Sequence, residues 1–358
     1  MSSMLVTFFV LCLCGFAAMY LCLGQLVRQY EQTLQIKNFM SPLIYILLFY
    51  SIGTVGIYLS LSHNDFVEPL TLTRVILPIG LAGLIYLASI FSSEAIFNVI
   101  LGGAMVALVI VQPIGQGSPI PLWPTWSIQL GAIVMGFIFC RFYKIMSSTV
   151  QAFIVPLLMI LLGISILSAL GAAPLFSALS AAVLIGILGA YLSINYYGIK
   201  IDLDEGACVV IAFLVYSLML LQIGEFSFIS CLTFSAVFWA ELIAALWYKY
   251  VVTHAGNLME NSNYYIAATK YYFHAMTINV FKICAITLFL GWFQLFSMNS
   301  YSLPLVTLLL VLWLNHSFGR TDGNEPKKLR DINRAFIEDV KQNIKEAKDA
   351  LNVSKKDD

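Results

Sequence analysis

Apolar runs of about 20 residues recur along almost the whole chain, and each is long enough to cross the ~30 Å hydrocarbon core of a bilayer. Backbone amides inside lipid must find partners within the protein, so only helices and closed barrels can span. These runs are continuous rather than alternating, which selects an all-α, polytopic helical bundle over a barrel. Hydrophobic residues make up 60% of the sequence and charged residues 11%, outside the usual range of soluble domains.

The runs lie near 4–24, 40–62, 72–91, 95–113, 123–142, 151–171, 174–196, 207–224, 228–248, 274–295 and 301–318, which predicts eleven transmembrane helices. The first has no basic segment before it and no clear cleavage site after it, so it is expected to be a retained helix rather than a signal peptide. Arg28 and Lys37 follow the first run, Arg141 and Lys144 close the fifth, and Lys200 follows the seventh. Lys249 and Lys270 bracket the link after the ninth, and the tail is rich in lysine and arginine. These are alternate connections, and the opposite side holds only Arg74. The bias of basic residues toward the cytoplasm then predicts an outside N-terminus and a cytoplasmic C-terminus.

Two units follow: residues 1–320 as the transmembrane domain, and 321–358 as a cytoplasmic helix and tail. Within 325–352, Leu329, Ile332, Phe336, Val340, Ile344, Ala347 and Leu351 recur at threes and fours between charges of both signs. That spacing predicts an amphipathic helix, and its balanced charge favours a protein partner over anionic lipid. The formal net charge is zero, which gives no indication of nucleic-acid binding. The seven cysteines lie in or beside apolar runs without paired metal spacing, as small packing residues do. There is no nucleotide-binding glycine loop of useful specificity, nor a Ser/His/Asp or Cys/His arrangement.

Charge gathers at one place. Residues 195–207 contain Asn195, Tyr196, Tyr197, Lys200, Asp202, Asp204 and Glu205 between two apolar runs. Ionisable groups at membrane depth tend to face a cavity, a partner or a site. A solvated link between two helices also needs polar residues, and both readings stand on the sequence alone. Glu241 and Lys282 lie within predicted spans, where such residues mark a transport pathway or form a structural pair.

The order Asn195, Tyr196, Tyr197, Lys200, Ile201, Leu203 resembles the cytoplasmic turn of the polyprenyl-phosphate N-acetylhexosamine-1-phosphate transferases, with Glu205 where that family has a magnesium-binding aspartate. Gly198 and Ile199 replace its proline and alanine, and Asp204 its glycine. The family's aspartate pair after the third helix is represented by Ile90-Phe91-Ser92-Ser93-Glu94. Its acidic and asparagine motif after the fifth helix is replaced by a segment containing Arg141 and Lys144. Its histidine-rich loop after the ninth helix is represented by Glu260-Asn261-Ser262-Asn263-Tyr264-Tyr265.

Sugar-phosphate transfer brings several negative charges together and needs a cation held by carboxylates. The resemblance with most of those acids lost implies a catalytically degraded relative in a bacterial cytoplasmic membrane. Such a protein would bind a polyprenyl phosphate, or serve as a scaffold for a partner in envelope glycan assembly through the 325–352 helix. Arg141, Lys144 and Lys200 are its anion-binding candidates, and Asn195, Lys200, Asp202, Asp204 and Glu205 its polar cluster. No cofactor is expected. An active transferase is the alternative, with Glu205 as metal ligand and Asp202, Asp204 and Glu94 rearranged around magnesium. A membrane transporter using Glu241 is the third reading.

Overall fold

Among the described residues, the long apolar runs fold as helices. The computed structural model describes residues 2–32, 42–63, 72–111, 125–146, 150–170, 174–196, 203–221, 231, 233–247, 305–310 and 312–313. Among these residues there is no strand, and nine helices run α1 Ser2–Gln32, α2 Pro42–His63, α3 Leu72–Phe91, α4 Glu94–Val111, α5 Thr125–Met146, α6 Val150–Ala169, α7 Leu175–Tyr196, α8 Glu205–Leu220 and α9 Ala236–Trp247. Residues 305–310 are also helical, within the run expected at 301–318. The expected helix at 274–295 and the amphipathic helix at 325–352 lie outside the described residues.

Five of the described helices are long and apolar enough to cross a membrane: Leu5–Gln25, Pro42–His63, Thr73–Phe91, Glu94–Val111 and Leu175–Ile194. Apolar stretches of α5, α6 and α8 are shorter. The outward faces suit lipid. Leu13, Leu21, Ile52, Val99 and Ile110 are all more than half exposed, on α1, α2 and α4. Exposed apolar side chains repeated along several helices suit lipid better than water.

Two helices sit inside the bundle. α7 packs against α1, α2 and α6, while α8 packs against α3, α5 and α6 and touches α7. Every residue of α8 from Ala207 to Leu220 is buried. Its uniformly apolar composition is what a helix enclosed on all sides requires. α3 and α4 form a neighbouring pair, and α4 also meets α5. At one end of that pair, the Arg74 Nε donates to the Val111 carbonyl at 3.2 Å, joining the start of α3 to the end of α4.

Small residues decide the closest crossings. Gly186 of α7 lies so near α1 that an added Cβ would stand 2.2 Å from the Cys12 carbonyl oxygen and 2.9 Å from the Phe16 amide nitrogen. Gly15, on the facing side of α1, would place a Cβ 3.0 Å from the Val183 carbonyl oxygen. With lipid tails as apolar as leucine, helices in a bilayer gain by this close backbone approach, which only small side chains allow. Gly163 of α6 plays the same part against the Phe234 ring, 2.5 Å from its virtual Cβ. Aromatic rings fill the space between α5 and α9: Phe139 and Phe238 have centroids 4.4 Å apart, and Phe142 meets Phe238 edge to face at 5.2 Å.

Candidate functional site

The ends of α3 and α5 and the starts of α4 and α8 contribute to one end of the bundle. α3 closes with the Ser92 amide bonded to the Ala88 carbonyl at 3.0 Å, and the Ser92 hydroxyl donates to the same oxygen. The chain then turns through Ser93, whose carbonyl accepts the Phe97 amide at 2.9 Å and so starts α4. Glu94 therefore stands in the first turn of α4, where the helix dipole favours an acid.

Arg141 approaches from the C-terminal part of α5, more than one turn before its end at Met146. Its Nη2 donates to Glu94 Oε1 at 2.7 Å, a charge-assisted bond between two antiparallel neighbours. The two partners differ sharply in environment. The Arg141 side chain is 4% exposed and that of Glu94 is 55% exposed. The Arg141 guanidinium carbon also lies 5.8 Å from the centroid of the Phe97 ring, within cation–π range. Phe97 is one helical turn beyond Glu94, so a single face of α4 supplies both a carboxylate and a ring to the same guanidinium.

The start of α8 is described from Leu203 onward. Asp204 is its N-cap: the backbone is extended at φ −66° and ψ 161°, and Oδ1 accepts the Ala207 amide at 2.5 Å. This satisfies one of the amides that a helix start leaves without an intrahelical partner. The Cys208 amide bonds the Asp204 carbonyl at 3.2 Å. Glu205 follows in the first turn and is exposed. Gly206 is held against α3, since a Cβ there would lie 2.1 Å from Ser89 Oγ and 2.6 Å from Ser89 Cβ. The Ser89 hydroxyl donates to the Tyr86 carbonyl at 2.7 Å. Ser89 precedes Glu94 by five residues, so the Gly206 contact and the Arg141 ion pair bring the ends of α3, α4, α5 and α8 into one region.

The sequence-derived candidates fall on this region unevenly. Arg141 is present and carries a carboxylate partner that its sequence position alone does not reveal. Asp204 serves as a helix cap, with one carboxylate oxygen engaged by its own helix. Lys144 lies in the last turn of α5 and Asn195 in the last turn of α7, each known by helix position only. Lys200 and Asp202 lie outside the described residues, as does Lys282. Glu241 lies within α9, also known by helix position only. Among the described residues, no three acids, histidines or cysteines come together as a metal-holding group, so Glu94, Asp204 and Glu205 do not form one by themselves.

Two participants escaped the sequence reading. Phe97 looked like one more apolar residue of a span, and its contact with Arg141 depends on how α4 and α5 face each other. Gly206 is in sequence one more residue of the polar turn, although a glycine just inside a helix start is a recognisable sign of close approach, here to the Ser89 side chain. Comparison of the chain with models of protein families, with curated proteins and with solved structures gave no match.

Proposed function

We propose that this chain is an eleven-helix membrane protein, N-terminus outside and C-terminus cytoplasmic, that binds the phosphate head group of a polyprenyl phosphate without transferring sugar phosphate. It is read as a degraded relative of the polyprenyl-phosphate hexosamine-1-phosphate transferases, residing in a bacterial cytoplasmic membrane. The observation that carries this reading is the ion pair of the buried Arg141 with Glu94, at the end of the bundle where Gly206 packs against Ser89. These residues lie in or beside the segments on which the sequence resemblance and its losses fall.

The chemistry argues for binding over transfer. Moving a sugar phosphate between two phosphorylated substrates needs a hard cation held by several oxygens. Here the described acids are dispersed: Asp204 caps α8, and Glu94 is paired with Arg141. A guanidinium suits an anion directly, through two parallel hydrogen bonds to phosphate oxygens.

The test is a paired assay on purified protein. Retention of polyprenyl monophosphate through gentle extraction, with no magnesium-dependent release of UMP from UDP-N-acetylhexosamines, is the expected result. Magnesium-dependent UMP release that disappears in Glu205→Gln would overturn it in favour of an active transferase. Absence of both the lipid and the release would remove the carrier reading altogether.

A further inference from the structure

Glycines at the crossings of this bundle are accounted for by close neighbours, as Gly186 and Gly206 are. Those of α3 and α4 are not. A Cβ added at Gly80, Gly83, Gly102 or Gly103 would meet nothing within 4 Å. Glycine inside a helix weakens it relative to alanine, so a glycine that packing does not explain is a point of bending. α3 also holds Pro78 inside the helix, which has no amide to give and removes one rung of the hydrogen-bond ladder. The weak points match in depth. Arg74 of α3 bonds the Val111 carbonyl of α4 at 3.2 Å and fixes one end of the pair. Gly83 lies nine residues after Arg74, and Gly102 nine before Val111. Both therefore stand roughly 13 Å from that bond, given the helical rise per residue.

We infer that α3 and α4 form a hinged flap, anchored where Arg74 meets Val111 and bending at the level of Gly83, Gly102 and Gly103. The turn at Ser92 and Ser93 then swings away from α5 and α8. Phe91 lies eight residues beyond Gly83 and Glu94 eight before Gly102. The turn is thus about 12 Å from the hinge, and a bend of about 20° carries it through about 4 Å. Leu84, Leu87 and Val99 are exposed on the hairpin, so its outer face lies against lipid rather than packed protein. The contacts of Ser89 with Gly206 and of Glu94 with Arg141 belong to the inward position and are released in the outward one. The swing uncovers the start of α8 at that end of the bundle. This motion goes beyond the head-group reading and does not depend on it.

The experiment uses the full chain in phosphatidylcholine nanodiscs, with nitroxide residues introduced in pairs by codon suppression and distances read by double electron–electron resonance. Phe91 with Leu21 of α1 reports the turn end, and Ile110 with Leu5 of α1 reports the anchored end. All four side chains are exposed. Wild type is expected to show two distances for the first pair, up to about 4 Å apart, and one for the second. Gly83→Ala, Gly102→Ala and Gly103→Ala together are expected to lose the outward distance, since each methyl enters open space and stiffens its helix. Gly206→Ala, whose methyl would stand 2.1 Å from Ser89 Oγ, is expected to raise the outward share.

A single narrow distance for the first pair in both wild type and Gly206→Ala overturns the inference. So does an outward population that persists undiminished in the triple alanine variant, which would place the bend elsewhere. Equal spread at the two ends also overturns it, because α1 would then be the moving part. If Gly206→Ala does not fold, wild type against the triple alanine variant decides alone, and one identical distance in both overturns the inference. Absence of bound polyprenyl phosphate with both distances retained leaves the flap standing and removes only the head-group reading.

Discussion

Gly186 of α7 stands directly against the Cys12 carbonyl of α1, with 2.2 Å between that oxygen and the position a Cβ would take. The obstacle is backbone on both sides, so no rotamer change can relieve it. Gly186→Ala is expected to push α1 away from α7 and destabilise the protein by about 1–3 kcal/mol, the usual cost of overpacking. Gly24→Ala is the control in the same helix pair. Nothing lies within 4 Å of its added methyl, and alanine is the better helix former. Thermal midpoints in detergent should fall clearly for Gly186→Ala and stay level or rise for Gly24→Ala. Equal midpoints would mean that α1 does not cross α7 at these residues.

The ion pair between Glu94 and Arg141 makes a prediction about order of loss. Glu94→Ala takes the 2.7 Å carboxylate contact from a buried guanidinium and is expected to cost about 1–3 kcal/mol. That lies below the cost of breaking a fully buried pair because Glu94 itself is half in solvent. Replacing both partners, as Glu94→Gln with Arg141→Met, removes the charge that needed compensation. The double variant is expected to be more stable than Glu94→Ala alone, since an apolar side chain of similar length can pack against Phe97. A double-mutant cycle on thermal or denaturant midpoints measures it. A double variant less stable than either single change would show that Arg141 has a further structural duty.

How much of this could be read beforehand depends on which force sets each feature. Helix positions were largely legible: the apolar run at 72–91 is α3, Leu72–Phe91, and that at 174–196 is α7, Leu175–Tyr196. Bilayer thickness and backbone hydrogen bonding act on each run separately, so the run reveals its own length. Partner choice between helices was not legible, because it depends on surface shape. A signal did exist in α7, where Ala178, Ala182, Gly186 and Ala190 place a small residue at every fourth position, the spacing of a close-packed helix face. The sequence could not distinguish α8, enclosed by protein, from a helix facing lipid, since both environments select the same apolar residues. At the site, Glu94 and Arg141 were each noticed at connections on the same side, yet nothing in their spacing shows that they touch. Asp204 was read through its charge, whereas its position just before an apolar helix, with an amide three residues on to accept, marks a cap.

Asp204 gives a prediction that separates capping from metal binding. Asp204→Ala removes the acceptor for the Ala207 amide and is expected to cost about 1 kcal/mol. Asp204→Asn keeps an acceptor oxygen and should recover most of that stability. If capping is its role, Asp204→Asn also leaves phosphomonoester binding and its response to magnesium unchanged. A magnesium-induced rise in thermal midpoint that is present in wild type and lost in Asp204→Asn would reassign this residue to a metal site.

Tyr216 ties α8 to α5 in the middle of the bundle, and it connects the enclosed helix to the one that carries Arg141. Its hydroxyl donates to the Ala132 carbonyl at 2.6 Å, and its ring lies where a Cβ on Gly136 would be, 2.4 Å away. Tyr216→Phe removes only the hydrogen bond. The expected cost is about 0.5–1.5 kcal/mol, because the Ala132 carbonyl is in a helix and keeps its intrahelical partner. Gly136→Ala should cost more, since the methyl meets both the Tyr216 ring and Met105 Sδ, the latter at 2.8 Å. Tyr216→Leu removes the ring at the point of collision, so the combination with Gly136→Ala should lose less than the two single losses added together. Strict additivity in thermal midpoints would place the ring elsewhere. Should α5 shift outward to accommodate the Gly136→Ala methyl, Arg141 moves with it, and the phosphomonoester affinity of that variant should fall along with its stability.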